Sequence, residues 1–248
     1  MERMRIAVVS DIHGNLAALE AVVADFTRRG VDAAVNLGDS LSGPLLPRET
    51  AQYLMAQDWT QLAGNHERQI LDASAARGFS DEYAHSQLTA SELEWIASLR
   101  PRADYADDVL LCHGTPESDL VYLLETVEPA RVRVATAQEI EARLGPVDAT
   151  LVVCGHSHVP RSVRSARGQL IVNPGSVGLP GYFASAPHAH VIENASPDAR
   201  YAILESHAGS WTSSLIAVPY DFRSMAELAH RRGRAEWRRA LLTGYVSH

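Results

Sequence analysis

Seven side chains of the kinds that bind metal ions lie in five short segments of this sequence, each of which contains a glycine. They are Asp11, His13, Asp39, Asn65, His113, His156 and His158. Imidazole combined with carboxylate suits Mn, Fe, Zn or Ni better than Ca or Mg. One zinc-like ion takes about four ligands, so seven ligands fit two ions if one carboxylate is shared. Pairs of divalent ions serve phosphoryl chemistry, and a dinuclear metal centre is therefore the first hypothesis.

The elements that must position these residues are short apolar runs typical of buried strands. Such runs begin near Arg5, Ala33, Thr60, Val109 and Thr150, and the metal-type residues follow each run directly. Because ligands bind at the carboxyl ends of parallel strands, we expect the side chains to converge at one edge. The two pairs with i, i+2 spacing would project to the same side of an extended backbone.

Helical patterns alternate with the early strands and predict an α/β fold. Asn15 can cap a helix that stops near Gly30, and further helices are predicted at 47–56, 65–76, 91–99 and 136–144. After about Pro160 the pattern changes to short strands, which predict a meandering antiparallel sheet. We expect two packed sheets with helices outside. Residues 221–248 are predicted to form a C-terminal helical tail within a single domain spanning 1–248.

The composition excludes several classes of function. The 248 residues include 22 basic and 30 acidic side chains, which gives a net charge of −8 with neutral histidine. All the basic residues are arginine, so neither a Schiff-base lysine nor a P-loop lysine is available. An acidic chain lacks a general basic field for a nucleic-acid backbone, and a nucleic-acid partner is not expected. Two cysteines and no long apolar run or signal-peptide pattern favour a cytoplasmic protein without a membrane partner.

Five motifs occur in a recognisable order between residues 5 and 158. They are D-x-H at Asp11–His13, GD at Gly38–Asp39, GNH at Gly64–His66, HG at His113–Gly114 and GHSH at Gly155–His158. In this set and order the chain resembles the calcineurin-like metallophosphoesterase superfamily. The NPGSVG segment at Asn173–Gly178 is similar to a turn of the bacterial YfcE-like phosphodiesterases. The resemblance implies a four-layer α-β-β-α sandwich of two mixed sheets.

The resemblance also implies a role for each residue of these motifs. The first metal ion would be bound by Asp11, His13, Asp39 and His158. Asp39 would bridge to a second ion, whose other ligands would be Asn65, His113 and His156. Hydrolysis of a phosphodiester or phosphomonoester would follow in-line attack by a metal-bridging hydroxide, with His66 as the general acid. Asn65 and His66 would also contact the small-molecule substrate, and the cofactors would be two divalent ions such as manganese, iron, zinc or nickel.

Three other functions stay open at this point. GNHE, with Glu67, is a form similar to the Ser/Thr phosphoprotein phosphatases, but their arginine after the GD motif is missing from GDSLSGP at Gly38–Pro44. Arg48 could instead reach phosphate or form a salt bridge at a helix start. Dinucleoside tetraphosphate hydrolases belong to related families. A non-catalytic metal-binding scaffold, like the retromer subunit of this fold, is the alternative outside enzymes.

Three features outside the motifs have weaker interpretations. His188 and His190 have ligand-like spacing but are expected to be structural or to lie at the rim of the substrate site. The arginines of the C-terminal tail are expected on a solvated helix face, paired with Glu227 and Glu236. Cys112 and Cys154 are expected to serve packing. The natural substrate, the physiological metals and the oligomeric state are not set by the sequence.

Overall fold

The computed structural model of the protein describes residues 4–74, 76–106, 108–129 and 131–246. Two residues of the predicted tail, 247 and 248, lie outside this part of the chain. The described strands are β1 (Met4–Val9), β2 (Ala33–Asn36), β3 (Thr60–Gln61), β4 (Arg102–Tyr105), β5 (Val109–Cys112), β6 (Glu125–Glu128), β7 (Arg131–Val134), β8 (Leu151–Val153), β9 (Arg161–Arg164), β10 (Leu170–Asn173), β11 (Gly181–Ala184), β12 (His190–Glu193), β13 (Ala199–His207) and β14 (Ser210–Val218). The described helices are α1 (Leu16–Arg29), α2 (Pro47–Met55), α3 (Asn65–Leu71), α4 (Phe79–Gln87), α5 (Ala90–Ser98), α6 (Ala137–Leu144), α7 (Phe222–Arg231) and α8 (Ala235–Thr243).

Two mixed five-stranded sheets form the centre of the fold. The first has the order β14-β13-β1-β2-β3, with β1, β2 and β3 parallel and β13 antiparallel to β1. The second has the order β4-β5-β8-β10-β9, with β5, β8 and β10 parallel between antiparallel edge strands. The remaining strands form two ribbons, β6-β7 and β11-β12. The parallel strands bring their carboxyl ends to one edge of each sheet.

Alternating side chains of the strands build the layers. Ile6 and Val8 of β1 pack with Leu111 of β5 and Val153 of β8 in the core between the two sheets. The intervening residues of β1 face the apolar side of α1, including Leu19. On the other side, the outer face of the second sheet packs against α6. The predicted four-layer α-β-β-α sandwich of two mixed sheets is thereby confirmed.

The strands after Pro160 pair differently from the prediction. They form no meandering sheet of their own. The strands β9 and β10 complete the second sheet, β11 and β12 form a separate ribbon, and β13 and β14 extend the first sheet. The reason is that β13 pairs antiparallel with β1 over five residue pairs, and period-two alternation along a strand does not specify its partner.

Several helices and strands also differ locally from expectation. The helix predicted over 65–76 ends at Leu71, where the backbone of Asp72 becomes extended. Helix α4, strand β4 and the ribbon β6-β7 were not predicted. The sequence of α4 contains few apolar residues, and its buried side chains are Asp81 and Ala84, so it has little of the apolar periodicity that indicates a helix.

The C-terminal tail forms two helices that pack into the body of the protein. Ala229, Trp237 and Leu241 share a core cluster with Leu45 and Leu179. One expected solvated ion pair is present, since Arg231 lies 3.9 Å from Glu227 with both side chains exposed; Arg234 pairs with Glu236 as expected but is itself largely buried. The tail nevertheless differs from a purely solvated face, because Arg232 turns inward and donates to the carbonyls of Pro44 and Leu45. Within the described residues, no helix has the length and apolar character needed to cross a bilayer.

Candidate metal centre

The carboxyl ends of strands from both sheets bring the predicted ligands together. Asp11 and His13 follow β1, Asp39 follows β2, and Asn65 begins α3 just after β3. The second sheet supplies the others from the loops after β5 and β8. Two groups form, each with three ligand atoms within 4.8 Å of one another: Asp11, His13 and His158, and Asp39, His113 and His156.

Contacts within and between the two groups show that they form one buried centre. His13 Nε2 lies 3.2 Å from His158 Nε2, which lies 3.3 Å from Asp11 Oδ1. His113 Nε2 lies 3.0 Å from Asp39 Oδ2 and 3.9 Å from Asp11 Oδ1. Side chains separated by more than 100 positions in the sequence therefore share a site a few ångströms across.

Backbone carbonyls orient three of the imidazole rings. His13 Nδ1 lies 2.7 Å from the oxygen of Ser42, and His113 Nδ1 lies 2.9 Å from that of Leu37. His158 Nδ1 lies 2.7 Å from the oxygen of Leu179. When Nδ1–H donates to a carbonyl, Nε2 keeps the lone pair that binds a metal ion. All three Nε2 atoms accordingly lie in the shared centre.

Unpaired polar atoms show that the residues suit a metal ion. Asn65 Oδ1 is buried and has no hydrogen-bond partner among the described residues, whereas Asp11 Oδ1 and His113 Nε2 are buried and contact only other side chains of the centre. Buried polar atoms normally have partners, and exceptions need an explanation. Carboxylate, amide oxygen and imidazole nitrogen are all ligands for first-row divalent metals, so divalent cations would satisfy all three atoms.

The pKa values of the centre also favour positive charge beside the two carboxylates. Burial lowers the pKa of His113, but the charge of Asp39 and its hydrogen bond outweigh burial and raise the value to about 10. Burial raises the pKa of Asp11, but the charge and hydrogen bond of His158 bring it down to about 2. Burial lowers the pKa of His156 to about 4, so that this imidazole is neutral near pH 7, as a metal ligand must be.

The backbone around the centre is strained. Eight non-glycine residues have positive φ in the described chain, and five of them are predicted ligands: Asp11, His13, Asp39, His156 and His158. Glycine allows the neighbouring loops to approach closely. A Cβ atom on Gly64 would lie 2.2 Å from Asp39 Oδ1, and one on Gly155 would lie 2.9 Å from Asp11 Oδ2. Strain of this kind is concentrated at functional sites.

A cavity of about 500 Å³ gives access to the centre. His13, Asp39, His156 and His158 contribute to its wall, together with His66. The rest of the wall is mainly apolar and comes from the β11-β12 ribbon, the residues just before it and the C-terminal tail, including Leu179, Tyr182, Phe183, Val191, Trp237 and Val246. The volume lies in the range of small-molecule sites.

His66 is held at the cavity by a carboxylate that the sequence did not indicate. Its Nδ1 lies 2.7 Å from Asp81 Oδ1, and its backbone N–H donates to Asp39. Burial lowers the pKa of His66, but the charge of Asp39 and the hydrogen bond and charge of Asp81 raise it to about 9. Asp81 lies on α4, outside the five motifs. The pair leaves the other ring nitrogen free to transfer a proton.

Comparison with known proteins gives the family. Residues 4–193 match the model of the calcineurin-like phosphoesterase superfamily domain. The chain belongs to this superfamily. It is similar to a metallophosphoesterase from Sphaerobacter thermophilus, with a TM-score of 0.78 and 26% identity over 98% of this chain and 100% of that one. An uncharacterised protein of Methanocaldococcus jannaschii is 26% identical over 96% of both chains. A hypothetical protein from Pyrococcus horikoshii shares the fold, with a TM-score of 0.71 at 16% identity over 98% of this chain and 100% of that one.

Glu67, which follows the GNH motif of this superfamily member, connects two of the loops that carry predicted ligands. Its carboxylate is fully buried and accepts hydrogen bonds from the N–H groups of Asp39, Ser40 and Gly64, all at 2.8 Å. These bonds connect the loop after β2 with the start of α3. In this phosphoesterase-family chain, Glu67 therefore positions Asp39 relative to Asn65.

Two further residues singled out in the sequence, His190 and Arg48, have structural partners, whereas His188 is exposed. His190 is buried, and its Nε2 lies 3.0 Å from the hydroxyl of Tyr122, which also contacts Tyr182. Tyr182 donates to the carbonyl of His156, so His190 is connected to the centre through tyrosines. Arg48 lies 3.9 Å from Glu92 near the start of α2 and is not part of the cavity wall.

Proposed function

We propose that the protein is a dinuclear metal-dependent hydrolase of small phosphoesters. The observation that carries the proposal is the pair of triads, Asp11–His13–His158 and Asp39–His113–His156, four of whose residues line one cavity together with His66. Superfamily membership supports the class of reaction. Manganese is the proposed first metal to test, with iron, zinc and nickel as the others that the ligand set suits.

The proposed ligand assignment uses all seven residues. Asp11, His13 and His158 would hold one ion, and Asn65, His113 and His156 the other. Asp39 would serve both, because its Oδ2 lies beside His113 and its charge also acts on the pKa of His13. Divalent ions bound there would lower the pKa of a water molecule towards about 7 and neutralise charge on the phosphate.

His66 is the proposed general acid. Asp81 fixes its Nδ1, which leaves Nε2 as the nitrogen that can give a proton to the departing oxygen. Such transfer contributes about 10²–10⁴-fold to a rate. Asn65 is the proposed substrate contact beside it: its Oδ1 is unpaired, whereas its Nδ2 donates only weakly, at 3.3 Å, to Gln69. The amide could therefore offer oxygen to a metal ion and N–H to a phosphate oxygen.

The shape and lining of the cavity support a small substrate over the alternatives. A cavity of about 500 Å³ with an apolar wall suits a ligand that is itself small and partly apolar. The superfamily ligands are all present, which favours catalysis over a scaffold role. Cys112 and Cys154 are buried in the core cluster beside α6, in line with the packing role expected for them.

Metal analysis and hydrolysis measured on the same sample test the proposal. We expect two transition ions per chain and hydrolysis of p-nitrophenyl phosphate or bis(p-nitrophenyl) phosphate with Mn²⁺, lost on chelation and restored by Mn²⁺. Diadenosine tetraphosphate and a phosphoserine peptide, assayed in parallel, would separate the alternatives. A His207→Ala variant, with its exposed histidine on β13, is a matched control for the site variants. Metal binding without hydrolysis of any ester would refute the enzymatic proposal and favour the scaffold.

A further inference from the structure

The C-terminal tail places one arginine in the wall of the catalytic cavity. Arg234, which precedes α8, lines the cavity together with Trp237. The ring of Trp237 lies 6.1 Å from that of His13, centroid to centroid. Residues three apart face the same side of a helix, so Arg234 lies one turn from a side chain that contacts the metal centre.

The tail is fixed to the loop that follows the GD motif. Arg232 donates to the carbonyls of Pro44 and Leu45, and its guanidinium lies 4.8 Å from the ring of Tyr83. Gly43 makes room for the tail, because a Cβ atom there would lie 2.7 Å from the ring of Trp237. These contacts hold the start of α8 in place, and the cavity wall that contains Arg234 is therefore preformed.

The guanidinium of Arg234 is oriented but not fully used. Its Nε donates to Glu236, and its Cζ lies 4.2 Å from the centre of the Phe79 ring. Its side chain is only 17% exposed, and its Nη1 is buried without a hydrogen-bond partner among the described residues. Arginine carries five donors in a planar fork that matches phosphate oxygens. The group thus has donors at Nη1 that no described residue accepts.

Charge in the cavity points to the same kind of ligand. Among the described residues of the wall, Arg234 is the only lysine or arginine, and Ser42 and Gly43 stand in the loop after the GD motif. The tail therefore brings a permanent positive charge to a site whose own loop has none, although Glu236, which also lines the cavity, pairs with the Nε of Arg234. A phosphomonoester dianion interacts more strongly with such a charge than a phosphodiester monoanion does, and it has one more charged oxygen to accept a hydrogen bond.

We infer that Arg234 binds a charged oxygen of the substrate phosphate and makes the cavity prefer phosphomonoesters over phosphodiesters. This inference rests on the proposed function, and it assigns the tail a part in substrate recognition. Glu236 and Phe79 position the guanidinium, while the contacts of Arg232 anchor the wall.

Binding of inorganic phosphate to the Mn²⁺-loaded protein, measured by calorimetry, tests the inference without turnover. We expect Arg234→Gln to weaken phosphate binding about tenfold or more, in line with the loss of a hydrogen bond between charged groups. Arg234→Lys, which keeps the charge but loses the planar fork, should fall between wild type and R234Q. Arg231→Gln, which removes an exposed arginine of the same tail, is the matched control and should bind like wild type.

Kinetics with paired substrates test the preference. For R234Q, the KM for p-nitrophenyl phosphate should rise about tenfold and that for bis(p-nitrophenyl) phosphate less than about threefold. Unchanged phosphate binding in R234Q, or an equal loss with both esters, would overturn the inference while the proposed function stands. If R234Q does not fold, unchanged phosphate binding in R234K would overturn it. Failure of the wild-type protein to hydrolyse either ester would refute the proposed function, and phosphate binding would still decide whether Arg234 is an anion site.

Discussion

Glu67 should be essential for holding together the loops that carry Asp39 and Asn65. Its Oε2 accepts the N–H groups of Asp39 and Gly64, and its Oε1 accepts that of Ser40. In Glu67→Gln, the remaining oxygen can still serve two of these donors. The new amide NH₂ then faces the third N–H, so two buried donors oppose each other.

The size of the effect follows from these contacts. A buried donor without a partner costs about 1–3 kcal/mol. Burial and the charge of Asp39 raise the pKa of Glu67, so removing the charge relieves part of the cost. We expect a net loss of about 2 kcal/mol in the free energy of unfolding, or about 4–8 °C in Tm for a chain of this size. Glu67→Ala leaves all three donors unpaired and opens a cavity, and we expect about twice that loss.

Urea and thermal unfolding of E67Q and E67A, with and without Mn²⁺, would measure these losses. Glu94→Gln is the matched control, because Glu94 is exposed on α5. Calorimetric titration with Mn²⁺ should also show weaker binding in E67Q, because the two loops each carry a proposed ligand. If E67Q unfolds like wild type, the three N–H groups must find other acceptors, and the positioning role of Glu67 would be refuted.

Three further predictions concern the proposed acid, the proposed bridge and a helix cap. His66→Ala should keep both metal ions by elemental analysis but lose about 10²–10⁴-fold in turnover, most severely with alkyl phosphoesters; unchanged alkyl ester hydrolysis would remove His66 from the reaction. Asp39→Ala should lose at least one ion, and two ions per chain in that variant would contradict the bridge. The hydrogen bonds of Thr89 to Glu92 outweigh burial and lower the pKa of Glu92 to about 2. Because the pKa of Glu92 is lower in the folded than in the unfolded protein, its charged form stabilises the fold. Glu92→Gln should therefore lower the free energy of unfolding by about 1–2 kcal/mol at pH 7. The difference in this free energy between the variant and wild type should shrink as the pH falls from about 4.5 towards about 2. If urea unfolding shows the same difference in unfolding free energy between Glu92→Gln and wild type at pH 7 and at about pH 2.5, this explanation is wrong.

The sequence was sufficient to predict that the metal-type residues converge, because each lies within a few residues of the carboxyl end of a strand. Asp11 comes two residues after β1, and His113 comes immediately after β5. Because the carboxyl ends of parallel strands lie at the same edge of a sheet, the convergence of these residues can be predicted without knowing the paths of the loops. The family resemblance added roles for these residues, and membership of the superfamily is confirmed.

Residues that reach the site through tertiary packing could not be predicted in the same way. Asp81 lies on α4, where apolar spacing is weak, and it meets His66 only because α4 packs against α3. Arg234 faces the cavity because the contacts of Arg232 and Trp237 fix the tail to a loop almost 190 positions earlier. Charge patterning in the tail indicated solvated ion pairs, and this holds for Arg231. It gives no information about which arginine turns inward.

The strained backbone of the centre is the feature that local sequence rules predict least well. Left-handed φ is usual for glycine, yet Asp11, His13 and Asp39 adopt it here. Each such residue costs about 1–3 kcal/mol and persists only where its surroundings hold it. The strained residues among the proposed ligands follow β1, β2 and β8, whose carboxyl-terminal residues are buried, so strands packed in the core hold the strained residues. Because cations would satisfy the unpaired atoms that this conformation exposes to one another, metal binding should add directly to folding stability.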